Sequence, residues 1–202
     1  MKKNSFYFCR MRKKDDNKIG QIFDATLQLV ERNGLTGINI ADISAAAGIA
    51  AGTLYIYFES KEALINALFT KCRTDSAAFY FGNVKKTDDV KDSFRKIFSN
   101  IIQYKINHFR EAFFLEQCFH SPLVAEEKRK ESFKFMKPFF NVIEEGKKQG
   151  VIKNIDCLHL FFFVAGGTGE TAKGMRYARK SFSEEMIDTH FELCWDAIRK
   201  RR

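Results

Sequence analysis

Helical periodicity of the apolar residues is the feature that most constrains the fold of this chain. From Ile22 onward, mostly apolar side chains recur three and four residues apart, a spacing that places them on one face of an α-helix. No segment shows the alternation of a half-buried strand between turn residues. The chain has 45% hydrophobic residues and only 2 Pro in 202 residues, which favours a packed core over disorder. We therefore predict an all-α fold.

Turn and cap residues divide this pattern into helical segments. Ser60 and Asp156 are predicted N-caps, and Ser121-Pro122 is predicted as an N-cap followed by proline at the first helical position. Pro138 is predicted to kink the segment that contains it, because it lacks a backbone donor. The predicted segments are 22–33, 40–47, 51–58, 61–80, 88–109, 110–120, 122–148, 156–179 and 183–199.

The charge and apolar composition narrow the class of protein and its compartment. The net charge of +9 suggests a polyanionic partner, and residues 1–21 carry seven Lys or Arg against two Asp. The longest apolar run, about Leu160 to Gly167, is shorter than the ~18 residues that a membrane span needs. The N-terminal apolar stretch is too short for a signal peptide, and the five cysteines are far apart and odd in number. These features predict a cytoplasmic protein with no membrane partner.

Two short predicted helices around Gly48 form the pattern of a helix-turn-helix. The segments 40–47 and 51–58 flank a three-residue turn, and small residues at 45–48 allow the helices to cross closely. The second helix presents a short polar and aromatic surface, which has the size to enter a DNA major groove. We therefore predict DNA binding by this segment.

Several stretches of this region resemble the TetR family of bacterial transcriptional repressors. They are IFDAT at 22–26, IADISAAAGI at 40–49, and GTLYIYF at 52–58 followed by SKEAL at 60–64. The resemblance implies a basic arm and DNA-binding domain over 1–70 and a ligand-binding and dimerisation domain over 71–202. It also implies a homodimer that represses transcription from a palindromic double-stranded DNA operator and responds to a small molecule.

The resemblance assigns DNA contacts to six positions. By position in the family motif, Gly52 allows close approach to a base, and Thr53 and Tyr55 contact a base or a phosphate. Tyr57 and Lys61 contact phosphates, and Asn39 both caps a helix and contacts a phosphate. Core packing is the alternative for Tyr55, and exposure on a solvated face without DNA contact is the alternative for Tyr57 and Lys61. The predicted DNA-binding residues are Asn39, Gly52, Thr53, Tyr55, Tyr57 and Lys61.

Two departures from the family pattern affect how DNA is attracted. Ala51 stands where many members carry a basic or polar residue. Residues 22–70 carry two basic side chains against five acidic ones. Phosphate attraction is therefore expected to depend on Lys61 and on the arm residues Lys13, Lys14 and Lys18.

The C-terminal part is rich in phenylalanine, with 17 of the 22 Phe lying after residue 70. Most of these rings belong to a core, and aromatic walls with few polar groups also suit a cavity for an apolar effector. We expect a largely apolar or aromatic compound, neutral or weakly cationic. The alternative is solid packing without a natural ligand. The predicted ligand-binding residues are Phe113, Phe114, Gln117, Phe139, Phe140 and Phe163.

A glycine-rich segment offers an alternative function from another class. Residues 167–172 match the dinucleotide pattern GxGxxA after an apolar run, so Gly166–Ala172 could belong to a nucleotide-binding enzyme. The following residues are helical in pattern, whereas a dinucleotide-binding unit needs a second strand. We favour helix packing for these glycines, and we predict no enzymatic activity, catalytic residue, cofactor or metal site.

Overall fold

A computed structural model of the chain describes residues 16–85, 87–180 and 182–201. Ten α-helices and no β-strand occupy this described part, which confirms the all-α prediction. No single helix in it is long and apolar enough to span a membrane, although the helices Ile40–Ala46 and Ala51–Tyr57, which are bent by 101° at their junction, meet the length and composition criteria together. The helices are α1 (Asp16–Asn33), α2 (Ile40–Ala46), α3 (Ala51–Tyr57), α4 (Lys61–Phe81), α5 (Val90–Asn107), α6 (Phe109–Phe119), α7 (Glu126–Lys134), α8 (Lys137–Lys148), α9 (Cys157–Tyr177) and α10 (Glu184–Ile198).

Side-chain caps explain where three of these helices begin. The Asn39 side-chain oxygen accepts a hydrogen bond from the Asp42 backbone N–H at 2.9 Å. The Ser60 hydroxyl accepts one from the Ala63 N–H at 3.1 Å, and the Asp156 carboxylate accepts two from the first turn of α9. These bonds satisfy amides that have no partner within the helix. The three predicted caps are confirmed.

The segment predicted as one helix over 122–148 is two helices, α7 and α8, separated at residues 135–136. The predicted cap at Ser121 is wrong, because the chain forms turns there and α7 begins only at Glu126. Pro138 lies in the first turn of α8. At that position its missing N–H has no helical acceptor, and its fixed φ suits the start of a helix. The predicted kink is therefore a helix start.

Two clusters of buried side chains form the core. The first cluster is formed by α1, α2, α3 and α4. It includes Ile22, Ile43 and Leu54, all fully buried, together with Phe114 from α6. The second joins α5, α8, α9 and α10 around Phe94, and α4 reaches it through its C-terminal half. Helices α4 and α6 therefore connect the N-terminal module to the C-terminal bundle.

A carboxylate on α1 strengthens this connection. Glu31 accepts a hydrogen bond from Arg110 Nε, on α6, at 2.7 Å, and it also pairs with Arg176 near the end of α9. The Arg176 guanidinium lies 4.2 Å from the centroid of the Phe109 ring. The hydrogen bond from Arg110 is the main reason that the pKa of Glu31 lies below its usual value. One side chain of the N-terminal module thus holds two helices of the bundle.

Candidate functional site

The α2–turn–α3 unit has the geometry of a DNA-reading helix-turn-helix. Its bend of 101° lies within the ~90–120° that is typical of this motif. In the turn, Gly48 adopts a φ of +66°, a left-handed conformation that favours glycine. Ile43 and Leu54, from the two helices, are both fully buried in the module core. The inner faces of the helices are therefore fixed, and α3 keeps its outer face free.

The outer face of α3 presents a small, partly apolar surface. A Cβ atom built on Gly52 would meet nothing within 4 Å, so the space in front of this residue is open. Tyr55 is 53% exposed and Ile56 64% exposed, while Thr53 is half-buried. The core-packing alternative for Tyr55 is therefore wrong. Sequence reasoning missed Ile56, which shares this face with Gly52 at a spacing of four residues.

The other predicted DNA-binding residues lie beside this surface and also make contacts within the chain. Lys61 Nζ donates to the Ile38 carbonyl oxygen at 2.5 Å, which ties α4 to the segment before α2. Tyr57 packs against the module core, and the capping residue Asn39 is exposed. Contacts from these residues to DNA stay predictions. Lys13 and Lys14 lie outside the described residues, and Lys18 is half-buried on α1.

A cavity of about 350 Å³ lies in the C-terminal bundle. This volume falls at the lower end of the ~300–1,000 Å³ typical of sites for small molecules. Residues of α4, α5, α6, α8 and α9 line it, together with the segment around α7. Its apolar lining residues are Ile101, Ala112, Leu115, Phe119, Phe133, Met136, Phe139, Phe161, Phe162, Val164 and Ala165, and its polar lining residues include Arg73, Tyr80, Lys105, Glu116, His120, Ser132 and Glu170.

Two cations stand out in this lining. Arg73 Nε is inaccessible to solvent and has no hydrogen-bond partner among the described residues. Lys105 Nζ donates to the Ala165 carbonyl oxygen at 2.8 Å and to Thr168 Oγ1 at 2.9 Å. Burial lowers the pKa of Arg73 and lowers the pKa of Lys105 to about 8. These charges do not suit the weakly cationic effector considered from the sequence.

Most of the residues predicted to bind a ligand lie away from this cavity. Phe139 lines it, whereas the fully buried Phe114 belongs to the core of the N-terminal module. Phe163 is 53% exposed, and Phe140 packs against the core of the bundle. Phe113 lines a separate pocket of about 20 Å³. Gln117, the predicted polar anchor, is half-buried and does not line either pocket in the described part of the chain.

The cations that sequence reasoning missed have a recognisable pattern. Arg73 follows Phe69 by four residues on α4, and Lys105 follows Ile101 by four residues on α5, so each charge continues an apolar row. A charged side chain in such a row faces the interior rather than solvent. That interruption is the feature that could have identified both residues.

The glycine-rich segment lies in the middle of α9, and the apolar run before it is helical. The strand that a dinucleotide-binding loop requires is therefore absent from this part of the structure, and the enzyme alternative is not supported. Gly169 has a local role, because a Cβ atom there would lie 3.2 Å from Lys105 Nζ. The glycine leaves room for the lysine to cross α9.

In the described part of the chain, α9 and α10 each carry exposed apolar side chains. On α9, Leu158 is 45% exposed and Phe163 53% exposed, and on α10 Leu193 is 68% exposed. A Cβ atom built on Gly167 would meet nothing within 4 Å, so another helix could approach α9 closely at this residue. Such exposed apolar patches commonly mark interaction surfaces.

Comparison with known proteins defines the class and the family. Residues 22–68 match the family model described as bacterial regulatory proteins, tetR family, and residues 69–200 match the tetracyclin repressor-like C-terminal domain. The fold and the exposed recognition helix are those of a helix-turn-helix transcriptional regulator. The chain belongs to the TetR family, as its sequence motifs indicated.

Three similar proteins illustrate the relationship. An uncharacterized HTH-type transcriptional regulator from Haemophilus influenzae is 22% identical over 199 residues, covering 94% of this chain and 100% of that one. The crystal structure of a TetR family transcription regulator from Marinobacter aquaeolei is 23% identical with a TM-score of 0.85, covering 93% of this chain and 98% of that one. Transcriptional regulator FadR from Bacillus subtilis, solved in complex with stearoyl-CoA, is 20% identical with a TM-score of 0.69, covering 89% of this chain and 98% of that one. The two solved structures share the fold of this chain.

Proposed function

We propose that this TetR-family protein is a homodimeric repressor that leaves a palindromic operator when a small, largely apolar effector fills the bundle cavity. The observation that carries the proposal is the position of the cavity on helices that also hold the DNA-binding module. Helix α4 starts at Lys61 beside that module and lines the cavity through Arg73 and Tyr80. Helix α6 lines the cavity and contributes Phe114 to the module core.

The exposed face of α9 and α10 supports dimerisation. Two recognition helices must lie ~34–36 Å apart to enter successive major grooves, which a two-fold dimer provides. Trp195 of α10 is buried in the bundle core and is not available for contact with a second copy. We therefore assign the contact to the half-exposed Phe163, to Gly167 and to Leu193 of each protomer.

The cavity lining indicates the general chemistry of the effector. Aromatic and aliphatic side chains form most of its wall, so the larger part of the effector is apolar. The FadR structure in complex with stearoyl-CoA is a protein of the same fold with an acyl compound bound. This likeness supports screening acyl compounds first.

The proposal is tested in two steps with the full-length protein. Sequencing the genomic fragments that the purified protein retains should yield palindromic sites with half-sites spaced by about one turn of DNA. Apolar compounds are then screened for release of that DNA. Retention of fragments without a palindrome would contradict the dimeric repressor, and failure of every compound would favour a regulator without a ligand.

A cavity-filling variant links release to the cavity. Ala165 lines the cavity, so Ala165→Phe should keep operator affinity and lose the response to any compound that releases the wild-type protein. Ala78→Phe is a matched control, because Ala78 is exposed on α4 and outside the cavity lining. Release that is equally strong in Ala165→Phe would exclude the cavity as the effector site.

A further inference from the structure

We propose that Arg73 and Lys105 together bind the carboxylate of the effector, so that the effector is a carboxylic acid with an apolar body. This inference rests on the proposed function, because it concerns the same cavity. It adds a charge and a specific anchoring pair to a site that the apolar lining alone leaves undefined.

Arg73 lacks a counter-charge in the described part of the cavity. Its Nε is buried without a hydrogen-bond partner, and no carboxylate pairs with its guanidinium among the described residues. On one side it faces the Phe69 ring, with 5.7 Å between Cζ and the ring centroid. Burial raises the pKa of the neighbouring Tyr80 and Cys72 to about 12 each, so both are neutral at physiological pH. A guanidinium in such surroundings lacks the anion that buried charges normally have.

Lys105 can donate one more hydrogen bond than it makes within the chain. Its ammonium has three N–H donors, two of which reach Ala165 and Thr168, so one stays available toward the cavity. With a pKa of about 8, it is mostly protonated at neutral pH. Arg73 is close enough to contribute to lowering that pKa. One carboxylate between the two cations would accept hydrogen bonds from both.

The charged side chains at this end of the cavity do not balance. The acids Glu116 and Glu170 also line it, but each pairs with Lys173, at 2.8 and 2.6 Å. Three cations, Arg73, Lys105 and Lys173, therefore meet two carboxylates, with His120 counted as neutral. One positive charge is left over, and the single negative charge of a carboxylate would neutralise it.

The test compares three ligands with one chain length and different head groups: decanoate, 1-decanol and decylamine. Calorimetric titration below their micellar concentrations should give the tightest binding to the wild type for decanoate. Arg73→Gln should lower the affinity for decanoate by about 10- to 100-fold, as expected for the loss of charged hydrogen bonds, and should leave the affinity for 1-decanol unchanged. Lys71→Gln is the matched control, because Lys71 is an exposed cation of α4 that pairs with Asp75.

The pH dependence supplies a second measurement, which does not depend on the Arg73 variant folding. Bound decanoate raises the pKa of Lys105, so decanoate affinity should be constant from about pH 6, where the carboxyl group is ionised, to about pH 8. Above pH 8 the affinity should fall, and it should level off beyond the raised pKa. In Lys105→Met this pH dependence should disappear. The affinity of 1-decanol should not change with pH in either protein.

The outcomes separate this inference from the proposed function. Equal affinity for decanoate and 1-decanol, an equal loss of both in Arg73→Gln, or no binding of any of the three ligands would overturn the carboxylate site. Operator DNA is then added to the same samples. Decanoate that binds through Arg73 without releasing the operator would leave the site standing and contradict the proposed function.

Discussion

Replacing Gly167 by leucine tests where two copies of this chain meet. Gly167 lies within α9, on the same exposed face as Phe163, and a Cβ atom there would meet nothing within 4 Å of the chain itself. Within a single protomer the Cβ atom of a leucine at this position therefore meets no obstacle. In the proposed dimer it would occupy the space that the helix of the partner needs.

Gly167→Leu should raise the stability of the folded protomer and lower the stability of the dimer, so the test distinguishes a lost interface from a damaged fold. Within one chain, leucine is better than glycine in a helix interior by about 0.5–1 kcal/mol, so the protomer should become slightly more stable. At a two-fold contact the change occurs twice, and overpacking costs about 1–3 kcal/mol at each site. The dimer should lose about 2–6 kcal/mol, so that its dissociation constant rises by at least roughly 30-fold.

Sedimentation velocity at micromolar concentration measures the association, and urea unfolding measures the stability of the protomer. Gly167→Leu should sediment as a folded monomer. Gly20→Leu on α1 is the control, because a Cβ atom there also meets nothing within 4 Å and the helical gain is the same. A Gly167→Leu protein that dimerises as tightly as the wild type would show that the interface lies elsewhere.

Three further predictions concern individual contacts. Lys61→Ala should weaken binding to all DNA sequences alike and should reduce the slope of log affinity against log salt concentration by about one unit. Unchanged affinity at about 0.15 M salt would contradict a phosphate contact. Phe114→Ala should destabilise the fold by about 3–5 kcal/mol in chemical denaturation, since Phe114 is fully buried in the core of the N-terminal module. Glu31→Gln should lower the free energy of unfolding by about 1 kcal/mol at neutral pH, a modest value because its arginine partners are about half exposed. Folding lowers the pKa of Glu31, so the ion pairs stabilise the fold fully above about pH 4.5, and this stabilisation is lost as the pH falls through the pKa of the folded state. The urea midpoints of wild type and variant should therefore converge in acid.

The N-terminal module was predictable because local chemistry specifies it. Asn39 and Ser60 can each cap the helix that follows them, and Gly48 suits the left-handed turn between α2 and α3. These choices depend on a few neighbouring residues. The bounds of α2 and α3 accordingly agree with the prediction to within one residue.

The lining of the cavity was not predictable in the same way. Phe114 and Phe139 are both aromatic residues on apolar helix faces, yet one packs into the N-terminal module and the other lines the cavity. Which core a ring joins depends on how α6 and α8 are oriented, and that is set by contacts distant in sequence. The break between α7 and α8 had a local cause at Pro138, but a kink and a new helix start are both compatible with one proline.

We propose that the contacts of Glu31 couple the cavity to the DNA-binding module. Its partners Arg110 and Arg176 lie on α6 and α9, and both helices line the cavity. An effector that changes the separation of these helices must also move or break the pairs that hold α1. Linkage then requires the effector to bind better to the protein without DNA, and a coupling of ~1–3 kcal/mol would lower operator affinity by about 5- to 150-fold. If Glu31 carries this coupling, Glu31→Gln should reduce the loss of operator affinity that a releasing compound causes more than it reduces the operator affinity measured without the compound. Equal reductions of the two quantities would assign the coupling to the packing of α4 and α6 alone.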